Sequence, residues 1–143
     1  MQSILFLCKE EEKFINYLEK KDILLSAFQF QDYNNKYLLD EGIQEIYKEL
    51  IKINTSDAWI YDKAKNSFVS FIRFYTEVDL KYIFDISQLD IGSVATMFSL
   101  LKVPRVKEIL GKKIDFYPIS EINPNELEYK NLNTKKQMEE KKM

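Results

Sequence analysis

The stretch Ser67–Pro104 reads SFVSFIRFYTEVDLKYIFDISQLDIGSVATMFSLLKVP and is the most apolar and aromatic part of the chain. Ile60, Ala64, Phe68, Phe71, Tyr75 and Val78 recur at helical spacing and predict a helix over roughly 57–78. Trp59, Ile72 and Phe74 widen its apolar face, and a helix apolar on most sides is buried among several partners. Asn54, Thr55, Ser56 and Asp57 supply a polar break rich in N-cap residues before it. Leu80–Ile86 reads as either a helical turn or an extended connector. Asp90, or Ser87 upstream, caps a further helix over Ile91–Leu101, with Val94, Ala95, Phe98 and Leu101 facing inward and Pro104 stopping it.

Upstream, Leu39, Ile43, Ile46, Leu50 and Ile53 are spaced 4, 3, 4, 3 and predict a helix over 35–53, with Tyr47 beside the stripe. The stripe lasts only about two heptads, which favours a helix of a globular bundle over a coiled coil. Residues 22–34 lack a clean period, and read as an apolar-anchored linker or a weak helical turn. Residues 3–8, SILFLC, have the length and continuous apolarity of a strand buried on both faces of a sheet, with a short buried helix as the competing reading. From Glu10, Phe14, Ile15 and Leu18 fall at helical spacing, with acids in the first turn and Lys20 and Lys21 in the last, as the helix dipole favours. A lone strand and helix cannot bury both strand faces, so residues 3–20 call for a sheet outside this sequence.

Downstream, residues 105–119 are irregular but anchored by Ile109, Leu110, Ile114, Phe116, Tyr117 and Ile119, and Asn123-Pro124 marks a turn. From Glu126 the composition turns polar, which predicts a disordered tail or a solvated helix. The chain has no His and one Cys, Cys8, which excludes Ser-His and Cys-His catalysis, His-ligated zinc and an internal disulfide. No apolar run approaches the roughly 18 residues of a membrane span. The net charge of −2 predicts no general attraction to nucleic acid, so any such contact must come from a local patch.

Phe68, Val69, Ser70, Phe71, Ile72, Arg73, Tyr75, Ile83, Phe84, Leu89, Asp90, Ala95, Phe98, Leu100, Leu101 and Pro104 fall in order and without a gap. In that arrangement they resemble the C-terminal extension of the DEAD-box ATP-dependent RNA helicases of the ribosome-assembly group. The sequence departs from the family pattern at Val78, Asp79, Thr96 and Met97. The segment SILFLCKEEEKFINYLEKKDI is similar to the end of the second RecA-like domain of those enzymes. The resemblance implies a mostly α fold: a small helical C-terminal extension domain preceded by a strand–helix remnant of a RecA-like α/β domain. It divides the chain into residues 1–22 (the end of that domain), 23–34 (linker), 35–119 (extension) and 120–143 (a polar, Lys-rich tail).

The functional expectations follow in part from the residues and in part from the resemblance. Lys102, Arg105, Lys107, Lys112 and Lys113 oppose only Glu108, a local charge of +4, and such clusters bind phosphate backbones without regard to sequence. The bland alternative is a solvated loop. The resemblance implies RNA contact here. Arg73 lies mid-helix among aromatics and could stack, pair with an acid or reach RNA, with a structural role favoured. Glu10, Glu11 and Glu12 suit a helix N-terminus and need no catalytic reading.

The chain has no phosphate-binding Gly-rich loop with Lys, no Asp-Glu-Ala-Asp and no Arg-rich ATPase motif. The expectation is a piece of a helicase with no cofactor of its own, ATP and Mg²⁺ belonging to the parent family. The partners implied are precursor ribosomal RNA, the remainder of the helicase core and the pre-ribosomal particle, with no membrane, in the nucleus or nucleolus. The rival reading is a stand-alone helical module whose strand 3–8 pairs with a partner's sheet edge.

Overall fold

The computed structural model describes residues 3–27 and 36–142, without the side chains of 36–40, 132, 138, 139, 141 and 142. Among them are α1 (Lys13–Glu19), α2 (Lys36–Thr55), α3 (Ala58–Glu77), α4 (Ile91–Met97) and α5 (Leu132–Lys142), with 3-10 turns at Lys9–Glu11, Lys107–Ile109 and Pro124–Glu126. The fold is mostly helical, and no strand occurs among the described residues. Part of the linker segment, 28–34, lies outside them.

Residues 3–8 carry no regular structure up to the turn at Lys9, and Ile4 and Phe6 are exposed. The strand expected there is not formed. A strand is held by ladder hydrogen bonds to a neighbour, and the described residues offer no sheet edge. The helix expected after it forms as α1. It ends in a Schellman motif: Asp22 takes a left-handed conformation at φ 59°, its N–H donates to Glu19 and the Ile23 N–H donates to Leu18.

The core is built on α3. Asp57 caps it in extended conformation, its side chain accepting the Trp59 N–H at 2.9 Å. A second orphan donor, the Ala58 N–H, is satisfied by the Glu128 carbonyl at 2.9 Å. The helix buries Ala58, Tyr61, Phe68, Ile72 and Tyr75. Of the residues expected to widen its apolar face, Ile72 is fully buried, whereas Trp59 and Phe74 are exposed. Phe14, Phe84, Tyr75, Phe71, Phe98 and Phe68 form a run of adjoining rings with successive centroids 5.5, 5.8, 5.8, 5.9 and 6.1 Å apart. This run links α1 to α3 and α3 to the end of α4, and occupies most of the aromatic side chains of the opening stretch.

Helix α4 stops earlier than Pro104. Ser99 turns left-handed at φ 52°, its N–H donates to Thr96 and the Leu100 N–H donates to Ala95, a second Schellman motif. At the other end, Asp90 accepts the Ser93 N–H at 3.0 Å. That bond, and a second donated by the Ser93 hydroxyl at 2.7 Å, hold the Asp90 carboxyl below its ordinary pKa. Gly92, in the first turn, lies under the backbone of Asp115: a Cβ there would stand 2.0 Å from the Asp115 carbonyl oxygen.

Helix α2 packs on α3, but not through the apolar stripe read from its sequence. Ile51 is buried and Tyr47 half-buried, and the Asn54 amide donates to the Phe98 carbonyl at 3.0 Å. Ile43, Ile46, Leu50 and Ile53 are all exposed. The polar composition of residues 120–143 conceals two anchors, Leu127 against the core and Tyr129, whose hydroxyl bonds Asp62. Beyond them, α5 is a largely solvated helix led by Asn131, whose side chain accepts the Asn133 N–H at 2.9 Å. No helix among the described residues is long and apolar enough to cross a membrane.

Candidate nucleic-acid interface

The segment after α4 alternates anchors and cations. Leu100, Leu101, Val106 and Ile109 are buried, while Lys102, Arg105 and Lys107 are exposed. The burial is reinforced by the Leu101 N–H, which donates to the Tyr61 hydroxyl at 3.1 Å in the interior. Each anchor pins the backbone and so orients the intervening cation towards solvent. Lys102, Arg105 and Lys107 form no ion pair among the described residues.

The other three candidates are engaged. The Lys112 ammonium donates to the Ile86 carbonyl at 3.0 Å, tying this segment to the loop between α3 and α4. Lys113 lies 3.8 Å from Asp115 with both groups in water, a pair of small energetic consequence. Arg73 reaches from α3 to the 3-10 turn, its Nε 3.7 Å from Oε1 of Glu108. The structure thus brings Arg73 beside Glu108, and assigns Lys112 a structural contact.

Two features escaped the sequence reading. Phe74, next to Arg73, is 68% exposed, and available to stack rather than packed. Glu11 is 9% exposed and accepts the Cys8 N–H at 2.9 Å and the Tyr75 hydroxyl at 3.0 Å. It is therefore a tether between the N-terminal segment and α3, where the sequence suggested only a helix-dipole carboxylate. The only signal was the run of three acids, which does not distinguish Glu11 from its neighbours.

No three Asp, Glu, Cys or His side chains converge as a metal site among the described residues, and no Gly-rich loop with Lys exists in the sequence.

Comparison with known proteins identifies the stretch. Residues 57–106 match the sequence model of the C-terminal extension of SPB4-like ATP-dependent rRNA helicases. These residues are similar to that extension, and the match takes in about a third of the chain. Most of the chain is also similar to parts of known helicases. The ATP-dependent RNA helicase DDX55 of Gallus gallus is 28% identical over 137 residues, which cover 92% of this chain and 21% of the relative. The ATP-dependent rRNA helicase SPB4 of Yarrowia lipolytica is 36% identical over 98 residues, covering 60% of this chain and 16% of the relative. The ATP-dependent RNA helicase has1 of Schizosaccharomyces pombe is 29% identical over 110 residues, 77% of this chain and 18% of the relative. The chain thus spans about a fifth of the length of these relatives. The matched extension comprises α3, α4 and the start of the basic segment, so it contains most of the core described above and two of the segment's cations, Lys102 and Arg105.

Proposed function

We propose that this chain is the C-terminal part of an ATP-dependent rRNA helicase acting in ribosome assembly, and that it serves the enzyme in two ways. It packs against the helicase core, and it extends the RNA-binding surface through Lys102, Arg105, Lys107 and Lys113. The observation that carries this reading is the family match over 57–106 running into an exposed cationic segment whose Lys102, Arg105 and Lys107 form no ion pair among the described residues. Phosphate contacts of this kind add affinity without sequence selection. ATP and Mg²⁺ bind elsewhere in the parent enzyme, which supplies hydrolysis. Precursor ribosomal RNA and the pre-ribosomal particle are the partners that follow, in the nucleus or nucleolus. The test is binding of the chain to a fluorescein-labelled single strand of uridine RNA across a salt series. Affinity that falls linearly in log–log form with salt supports the reading. Absence of binding at low salt, or binding indifferent to salt, overturns it.

The rival reading, a stand-alone interaction module, is favoured by one observation: Ile43, Ile46, Leu50 and Ile53 face outward from α2, as do Ile4, Phe6 and Leu24 near the N-terminus. Exposed apolar surface on this scale calls for a partner. Under the helicase reading that partner is the rest of the same polypeptide.

A further inference from the structure

Arg73 and Glu108 are held together by packing rather than by their own attraction. Ile72 precedes Arg73 and is fully buried; Ile109 follows Glu108 and is 4% exposed, and both belong to one core cluster. Their neighbours therefore meet at the rim whatever their charge. The resulting contact is half made. Arg73 Nε stands 3.7 Å from Oε1, beyond hydrogen-bond length, and Arg73 is mostly solvated. The second carboxylate oxygen, Oε2, is buried and has no hydrogen-bond partner among the described residues. Glu108 is thus an incompletely neutralised anion, and it is the sole acid among the five cations of residues 102–113.

We infer that Glu108 acts as an internal competitor for Arg73, holding that arginine out of the phosphate-binding surface and tempering its affinity. This deepens the RNA-binding reading and rests on it. An arriving phosphate needs the Arg73 fork and meets the Glu108 charge beside it. The carboxylate draws the guanidinium towards itself from 3.7 Å and repels the backbone. The cationic surface then consists of the free set Lys102, Arg105 and Lys107 plus one arginine held in reserve. Because Arg73 is mostly solvated and the pair is weakly made, the competition is worth only about two- to fivefold in affinity.

The test is a double-mutant cycle on the full chain, binding the same labelled uridine strand by fluorescence anisotropy over a salt series. Glu108→Gln keeps the shape of the side chain and should bind two- to fivefold tighter. Its log K against log salt slope should steepen by about 0.7, the share of one further phosphate contact on a single strand. Arg73→Gln alone should change neither quantity by as much, and in the Glu108→Gln background it should return the slope to the wild-type value. A purely structural Glu108 would move the melting temperature and leave the salt slope unaltered. The inference falls alone if Arg105→Gln and Lys107→Gln weaken binding while Glu108→Gln leaves affinity and slope unchanged or lowers them. If Arg105→Gln and Lys107→Gln are also without effect, the RNA-binding reading falls, and this inference with it.

Discussion

The Tyr75 hydroxyl donates a 3.0 Å hydrogen bond to Oε1 of Glu11, joining α3 to the turn before α1 across 64 positions of sequence. The bond lies at an apolar contact where Phe14 meets Phe84 and Phe84 meets Tyr75. Removing the hydroxyl leaves a buried carboxylate oxygen without its donor, so Tyr75→Phe should cost about 1–3 kcal/mol. Burial and the Glu11 carboxylate push the Tyr75 pKa well above its ordinary value. Above pH of about 10 the unfolded chain ionises at this tyrosine while the folded chain keeps its proton. The unfolded state then binds fewer protons, so stability falls with rising pH. Tyr75→Phe lacks this loss, and the gap between the two proteins should narrow in alkali. Urea unfolding of both at pH 8 and above about pH 10 reads it out. A gap that stays constant contradicts the coupling.

Helix α2 offers a test of which face is structural. Ile51 is 5% exposed, while Ile46 is 60% exposed. Ile51→Ala should cost about 2–5 kcal/mol by cavity formation. Ile46→Glu should stay within about 0.5 kcal/mol, as a surface change does. Thermal unfolding of the two variants decides, and equal losses would mean that the outward stripe is covered within the chain itself.

That helix also shows where sequence reasoning reaches its limit. Periodicity predicts a helix over 35–53, close to the observed Lys36–Thr55, because helix formation and the 3.6 repeat are properties of the segment alone. Which of two apolar columns meets a neighbour depends on the neighbour. Here Ile51 is buried and Tyr47 half-buried, and Asn54 finds the Phe98 carbonyl. The same distinction applies to the candidate site. The exposure of Lys102, Arg105 and Lys107 was legible because buried Leu101, Val106 and Ile109 alternate with them. The Arg73–Glu108 contact was not legible, since 35 positions separate the two and only the packing of α3 on the 3-10 turn closes the distance. The early end of α4 was hidden for another reason. Ser99 rather than Gly takes the left-handed position, so the usual C-cap signal is absent.

Gly92 is fixed by a close approach rather than by a turn. The Asp115 carbonyl would lie 2.0 Å from any Cβ added there, and backbone on both sides leaves little freedom to yield. Gly92→Ala should therefore destabilise the protein by about 1–3 kcal/mol, despite the better helix propensity of alanine. The measurement is thermal unfolding. A rise in melting temperature would show that residues 112–118 can lift away from α4 without loss.

Lys112 and Lys107 are alike in sequence and different in place. The Lys112 ammonium donates to the Ile86 carbonyl at 3.0 Å, whereas Lys107 is exposed and forms no ion pair among the described residues. Lys112→Ala should therefore lower stability by about 1 kcal/mol, and change RNA affinity little. Lys107→Ala should leave the melting temperature unchanged and reduce the salt slope of RNA binding by about 0.7. Unfolding and anisotropy on the same two variants separate the roles. If Lys112→Ala lowers the salt slope as much as Lys107→Ala does, its ammonium is released from Ile86 on binding, and the phosphate surface extends back to the loop between α3 and α4.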